Sequence, residues 1–148
     1  MRTSFLIILV VLLTVFSGLV SAQERYVAVL APVPGTGSTG SGSATLVLDA
    51  PGTSLSYTIS FSGLSSPEVA AHIHRPAGGV AFGLNPGSPK SGVWQFPSPQ
   101  DLDFLRTGGL YILIHSDLHP MGELRGDIMN EQVLVEVTTW GAIKALYR

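Results

Sequence analysis

All four histidines of the chain fall in two short segments, Ala71-His72-Ile73-His74-Arg75 and Ile114-His115-Ser116-Asp117-Leu118-His119-Pro120. Imidazole is the commonest metal ligand and the side chain most easily tuned near neutral pH. On a strand, residues two apart share a face, with side chains about 6.6 Å apart along it. His72 and His74 therefore face one way, Ala71 and Ile73 the other. Two such rings can meet on one ion, at zinc–nitrogen distances of roughly 2.0–2.1 Å. With Ile112 and Ile114 read as core, Tyr111, Leu113 and His115 occupy the opposite side of their strand. His119 lies past the strand end, before Pro120, in a turn that can swing back toward His115. If the two strands are neighbours, His72, His74, His115 and His119 converge into a site for zinc or copper(II) that needs no thiolate. Glu123 and Arg125 are then its outer partners. The competing expectation is architectural: histidines on strands often face solvent or bond to a nearby carbonyl, and the four would simply order the end of the sheet.

Other chemistries lack their residues. The chain has no cysteine, which removes thiolate metal sites, cysteine nucleophiles, dithiol redox chemistry and disulfides. No Gly-x-Ser-x-Gly elbow occurs. His115-Ser116-Asp117 holds triad residue types, but consecutive strand residues alternate in direction and cannot form the relay. The spacing of His115 and His119 is not a helical metalloprotease signal, because the first lies on a strand and Pro120 follows the second. Glu123, Arg125 and Asp127 share a strand face, where charge pairing explains them, while Leu124 and Ile128 point into a core. The Asp101/Asp103 pair has no glycosidase arrangement. The Gly/Ser stretch has neither the Lys nor the following helix of a phosphate loop. No catalytic residue is assigned.

The elements that position the histidines are strands. Leu55, Tyr57, Ile59 and Phe61 alternate with hydroxyl residues, the mark of a half-buried antiparallel strand. Ala44–Asp49 precedes it across a Pro51-Gly52 turn. Tyr26–Ala31, Val69–His74, Val80–Phe82, Val93–Phe96, Tyr111–His115 and Glu123–Met129 read as further strands. The stretch from Pro32 to Gly42 is too glycine-rich for regular structure and reads as a mobile loop. One helix runs from Ser98 to Gly108, with Ser98 as N-cap, Pro99 at its first position and Gly108 ending it. Such strand spacing predicts an all-β sandwich or barrel of antiparallel strands with one short helix.

The chain opens on Arg2 and then runs apolar from Phe5 to Phe16, followed by Val20-Ser21-Ala22, the pattern of a secretory leader cut before Gln23. The run is short for a bilayer span, so the mature protein is expected to be exported with no stable membrane span: extracellular, or periplasmic in a bacterium. Loss of Arg2 leaves seven basic against ten acidic residues, a formal charge of −3 and no basic stripe for nucleic acid. The expected organisation is residues 1–22 as leader, 23–129 as one domain, and 130–148 as an extension holding a strand (Gln132–Thr138) and a short helix (Trp140–Tyr147).

Five segments, taken in order, resemble the CHRD domain, the module named after chordin and also found as single-domain secreted proteins in microbes. They are Gly42–Asp49, Leu55–Tyr57 with Phe61–Leu64, Ala70–His74, Gly108–Tyr111 with His115, and His119–Gly126. The likeness runs from about Tyr26 to Ile128, and its two histidine segments are specific only together. It implies an immunoglobulin-like or superoxide-dismutase-like Greek-key sandwich, a secreted location and no established catalytic activity. It does not carry over growth-factor binding, which in chordin accompanies cysteine-rich modules that this chain lacks. Arg75 departs from the pattern, where the family commonly has Gly; so long a side chain would crowd a metal site or pair with an acid. A weaker analogy links the His-x-His strand to copper/zinc superoxide dismutase, although the disulfide and the zinc loop are missing. The leading functional expectation is a non-enzymatic binding or structural module for an extracellular protein or ligand. The alternative is a copper- or zinc-binding protein, dismutase-like in its cluster.

Overall fold

The computed structural model describes residues 23–95 and 98–132. The expected leader, Phe96 and the expected terminal strand and helix beyond Gln132 lie outside the described residues. Nine strands and one helix follow in order: β1 (Glu24–Pro32), β2 (Ser41–Leu48), β3 (Ser54–Ser62), β4 (Glu68–His74), β5 (Val80–Gly83), β6 (Lys90–Gln95), α1 (Pro99–Arg106), β7 (Tyr111–Ser116), β8 (Leu124–Asp127) and β9 (Met129–Asn130). All pair antiparallel, in the order β5-β4-β7-β8-β1-β2-β3-β6, with β9 also on β1. The expected all-β sandwich with one short helix is what the described residues form.

Alternation builds the two layers. Leu55, Tyr57 and Ile59 of β3 are buried, as are Tyr26, Ala28 and Leu30 of β1 and Leu46 and Leu48 of β2. Facing them, β4 contributes Ala71 and Ile73, and β7 contributes Ile112 and Ile114. Trp94 fills the space under β6, stacked on Phe82. Full burial of each large side chain is worth roughly 1.5–3 kcal/mol, and with no disulfide this core carries the domain. Lys90 and Glu68 form an ion pair between β6 and β4, close to the open seam between the two layers, with the ammonium 5.1 Å over the Phe61 ring.

Four local expectations change. Glu123–Met129 is two strands rather than one: β8 pairs with β7 and the end of β1, β9 pairs with the start of β1, and between them Ile128 donates to the Leu110 carbonyl. A strand serving both layers cannot run straight through the corner. The Val33–Gly40 stretch has no regular structure, as expected, yet it is tied down: Val33 N–H donates to Glu123 O and Ser38 Oγ to Glu123 Oε1. Ser98 does not cap α1 with its side chain, because its hydroxyl is turned to Asp101 Oδ2 instead. Finally, Glu123 does not share the outer face with Arg125 and Asp127. It is fully buried, while those two pair with each other at 2.9 Å.

Candidate metal centre

The register of β4 on β7 sets out the site. Ala71 faces Ile114 and Ile73 faces Ile112, all four pointing into the core. The alternate positions pair Ala70 with His115, His72 with Leu113 and His74 with Tyr111 on the outer face. Directly opposed and diagonal residues on one face of an antiparallel pair lie within side-chain reach. His72, His74 and His115 thus gather with ring centroids 5.2–6.0 Å apart. Small Ala70 beside His115 leaves the rings room.

Their orientation is fixed by backbone carbonyls. His74 Nδ1–H donates to Gly78 O at 2.9 Å, and His115 Nδ1–H donates to Pro120 O at 3.0 Å. Each bond assigns the proton to Nδ1 and leaves Nε2 unprotonated, the outer-layer arrangement seen around metal-ligating histidines. His72 Nδ1 lies 3.3 Å from His115 Nε2. Because His115 Nε2 is an acceptor, His72 donates through Nδ1–H when no ion is present.

Two glycines make these carbonyls available. Gly78 adopts φ +86°, the left-handed turn conformation that brings its oxygen back to His74. Gly122, at φ +120°, lets the turn after β7 lie flat on Leu113: a Cβ there would stand 2.6 Å from Leu113 Cδ1. That close approach presents Pro120 O to His115.

Burial completes the geometry. His74 is 7 % and His115 9 % exposed, while His72 is half-buried. His74 Nε2 is the one buried side-chain polar atom among the described residues without a hydrogen-bond partner. One nitrogen from each ring lies within 4.8 Å of the others. Two nitrogens on one tetrahedral ion at 2.0–2.1 Å stand about 3.3–3.4 Å apart, which the His72–His115 pair already satisfies. The third ring closes by at most about 1.5 Å to join them. Burial holds the His72 imidazole below its ordinary pKa, helped by His115, His74 and Lys90 nearby; burial lowers His115 as well, against the opposing pull of its Pro120 bond. Both shifts favour the neutral imidazole, the state a ligand needs.

Of the residues expected here, three converge and the rest stand apart. His119 is not among the clustered nitrogens. It lines a separate depression of ≈ 380 Å³ with Val33, Pro34 and Met121, and it is the neighbouring Pro120 carbonyl that swings back to His115. Glu123 accepts hydrogen bonds from Ser38, Ser65 and Ser116. Arg125 is one ring removed: its guanidinium lies 3.7 Å from the Tyr111 ring centre, and Tyr111 stacks on His74 at 5.2 Å. Sequence reasoning missed Tyr111, Gly78 and Pro120 as the parts that orient the rings. Only the glycines and the proline beside the histidines hinted at them.

Arg75 resolves as the partner of an acid. Its guanidinium grips Asp101 at 2.7 and 3.0 Å and does not enter the cluster.

A family model for the CHRD domain matches residues 17–128. The chain belongs to the CHRD family. No curated protein and no solved structure gives a significant match. CHRD domains occur in extracellular proteins, and membership supports, in general terms, a non-enzymatic extracellular module. No helix among the described residues is long and apolar enough to cross a membrane. In this CHRD domain the histidine segments that carry the sequence likeness also form the candidate centre.

Proposed function

We propose that this CHRD domain is a secreted, non-enzymatic module that holds one copper or zinc ion on His72, His74 and His115. The observation that supports this reading is that His74 Nε2 is buried without a partner in a ring that belongs to a group of three histidines, one nitrogen of each lying within 4.8 Å of the others. Leaving such an acceptor unmade costs roughly 1–3 kcal/mol, a cost that a bound ion removes. Three imidazole nitrogens with no thiolate or carboxylate suit copper or zinc better than calcium or magnesium.

The second reading is the metal-free one, in which the cluster orders the sheet and the function lies in binding an extracellular partner. The His72–His115 hydrogen bond favours it, since it satisfies two rings without an ion. Elemental analysis of untagged protein recovered from the medium separates the two. Near-stoichiometric copper or zinc in the wild type, absent from His72→Ala/His74→Ala, is the expected result. A wild type that carries no metal and takes none up from dilute copper(II) or zinc would leave only the architectural reading.

A further inference from the structure

We propose that Arg75 is a positioning residue for the three-histidine centre, acting through the turn that fixes His74; the proposal rests on the metal reading of that centre. The chain of contacts is continuous. The Arg75 guanidinium makes a bidentate bond to the Asp101 carboxylate, Nε to Oδ1 at 2.7 Å and Nη2 to Oδ2 at 3.0 Å. Asp101 is fully buried in the first turn of α1 and receives a further bond from Ser98 Oγ. The remaining arm of the fork, Nη1, donates to Val80 O at 2.8 Å, at the far side of the turn. Within the turn, Arg75 N–H donates to Gly79 O and Gly78 N–H donates to Arg75 O. Gly78 O in turn receives the His74 Nδ1 proton.

One side chain thus locks both ends of the segment whose carbonyl decides which nitrogen of His74 is free. The link is directional. A planar fork that spans a carboxylate and a carbonyl fixes orientation as a point charge cannot. Outer partners of a ligating histidine typically change metal affinity ten- to hundredfold when removed.

The test uses copper(II) as the probe, with competition titrations on wild type, Arg75→Ala, Arg75→Lys and Arg106→Ala. Long-range 1H–15N spectra of the same metal-free proteins report the His74 tautomer. Arg106 is the control, because its pair with Glu24 also ties α1 to the sheet yet touches nothing near the turn. The expected result is a ten- to hundredfold loss of copper(II) affinity in Arg75→Ala, with His74 no longer held in its Nδ1-protonated form. Arg75→Lys should recover part of both, and Arg106→Ala neither lose affinity nor change the tautomer. Wild-type affinity and an unchanged tautomer in Arg75→Ala would overturn the proposal, as would an equal loss in Arg106→Ala. If the wild type binds no copper(II), the metal reading fails by itself, and the tautomer still decides whether Arg75 positions His74.

Discussion

Glu123 and His74 are both polar side chains shut away from solvent, and their surroundings treat them in opposite ways. Glu123 is met by every donor it can use: Ser38 Oγ at 2.6 Å, Ser65 N–H at 2.7 Å, Ser65 Oγ at 2.8 Å and the Ser116 hydroxyl. Burial pushes its carboxyl up, but the bonds from Ser116, Ser38 and Ser65 outweigh that and bring it down to about 2. His74 has one nitrogen anchored to Gly78 O and the other buried without a hydrogen-bond partner, in a ring that sits beside those of His72 and His115. A satisfied buried group ties loops together, whereas an oriented and unsatisfied one marks a place for something else.

The sharpest way to break the contrast is Glu123→Ala. It strands three hydroxyls and an amide and removes several bonds to a charged acceptor, each worth about 1.5–3 kcal/mol. We expect a stability loss of more than about 3 kcal/mol by urea denaturation, with the metal stoichiometry unchanged. A loss below about 1 kcal/mol would remove Glu123 from the architecture.

The same group sets an acid limit of nearly equal size. Its folded pKa is depressed from 4.5 to about 2, so its contribution is fully present above pH 4.5 and is lost as pH falls toward 2. That contribution is roughly 3 kcal/mol. Glu123→Gln should flatten this part of the stability–pH curve, and an unchanged curve would place the acid limit elsewhere.

His74→Phe addresses the other side of the comparison. A metal present at a hundredfold excess over its dissociation constant stabilises the wild type by about 2.7 kcal/mol, and the variant should show none of this. Without metal, the variant should lie within about 1 kcal/mol of wild type, because an orphaned acceptor is lost while an aromatic ring still stacks on Tyr111. A large loss in metal-free protein would assign His74 a purely structural task.

His119→Ala should do least. The ring is half-buried at the separate depression, so its removal should change stability by under about 0.5 kcal/mol and leave metal binding intact. A drop in metal affinity would bring the fourth histidine back into the centre.

The fold was largely readable because its signals are local. Leu55, Tyr57, Ile59 and Phe61 alternate, Pro99 and Gly108 bracket a helix, and period-two logic put His72 and His74 on one face with His115. The long-range ties were not readable. Glu123 meets Ser38 and Ser65, which lie 85 and 58 residues earlier, and serines carry no pattern that announces a carboxylate. That His119 lies apart from the clustered nitrogens was not readable for a related reason: spacing gives the face of a strand but not the path of the turn beyond it. There the contact of Gly122 with Leu113 turns Pro120 O, rather than the His119 ring, toward His115.

The most direct measurement is electron paramagnetic resonance of the wild-type protein loaded with one equivalent of copper(II), counting the coupled imidazole nitrogens. The three-histidine centre predicts three imidazoles in the wild type and in His119→Ala, and two in His72→Ala. A spectrum of unbound copper(II), or an imidazole count unaffected by His72→Ala and His74→Phe, would contradict it.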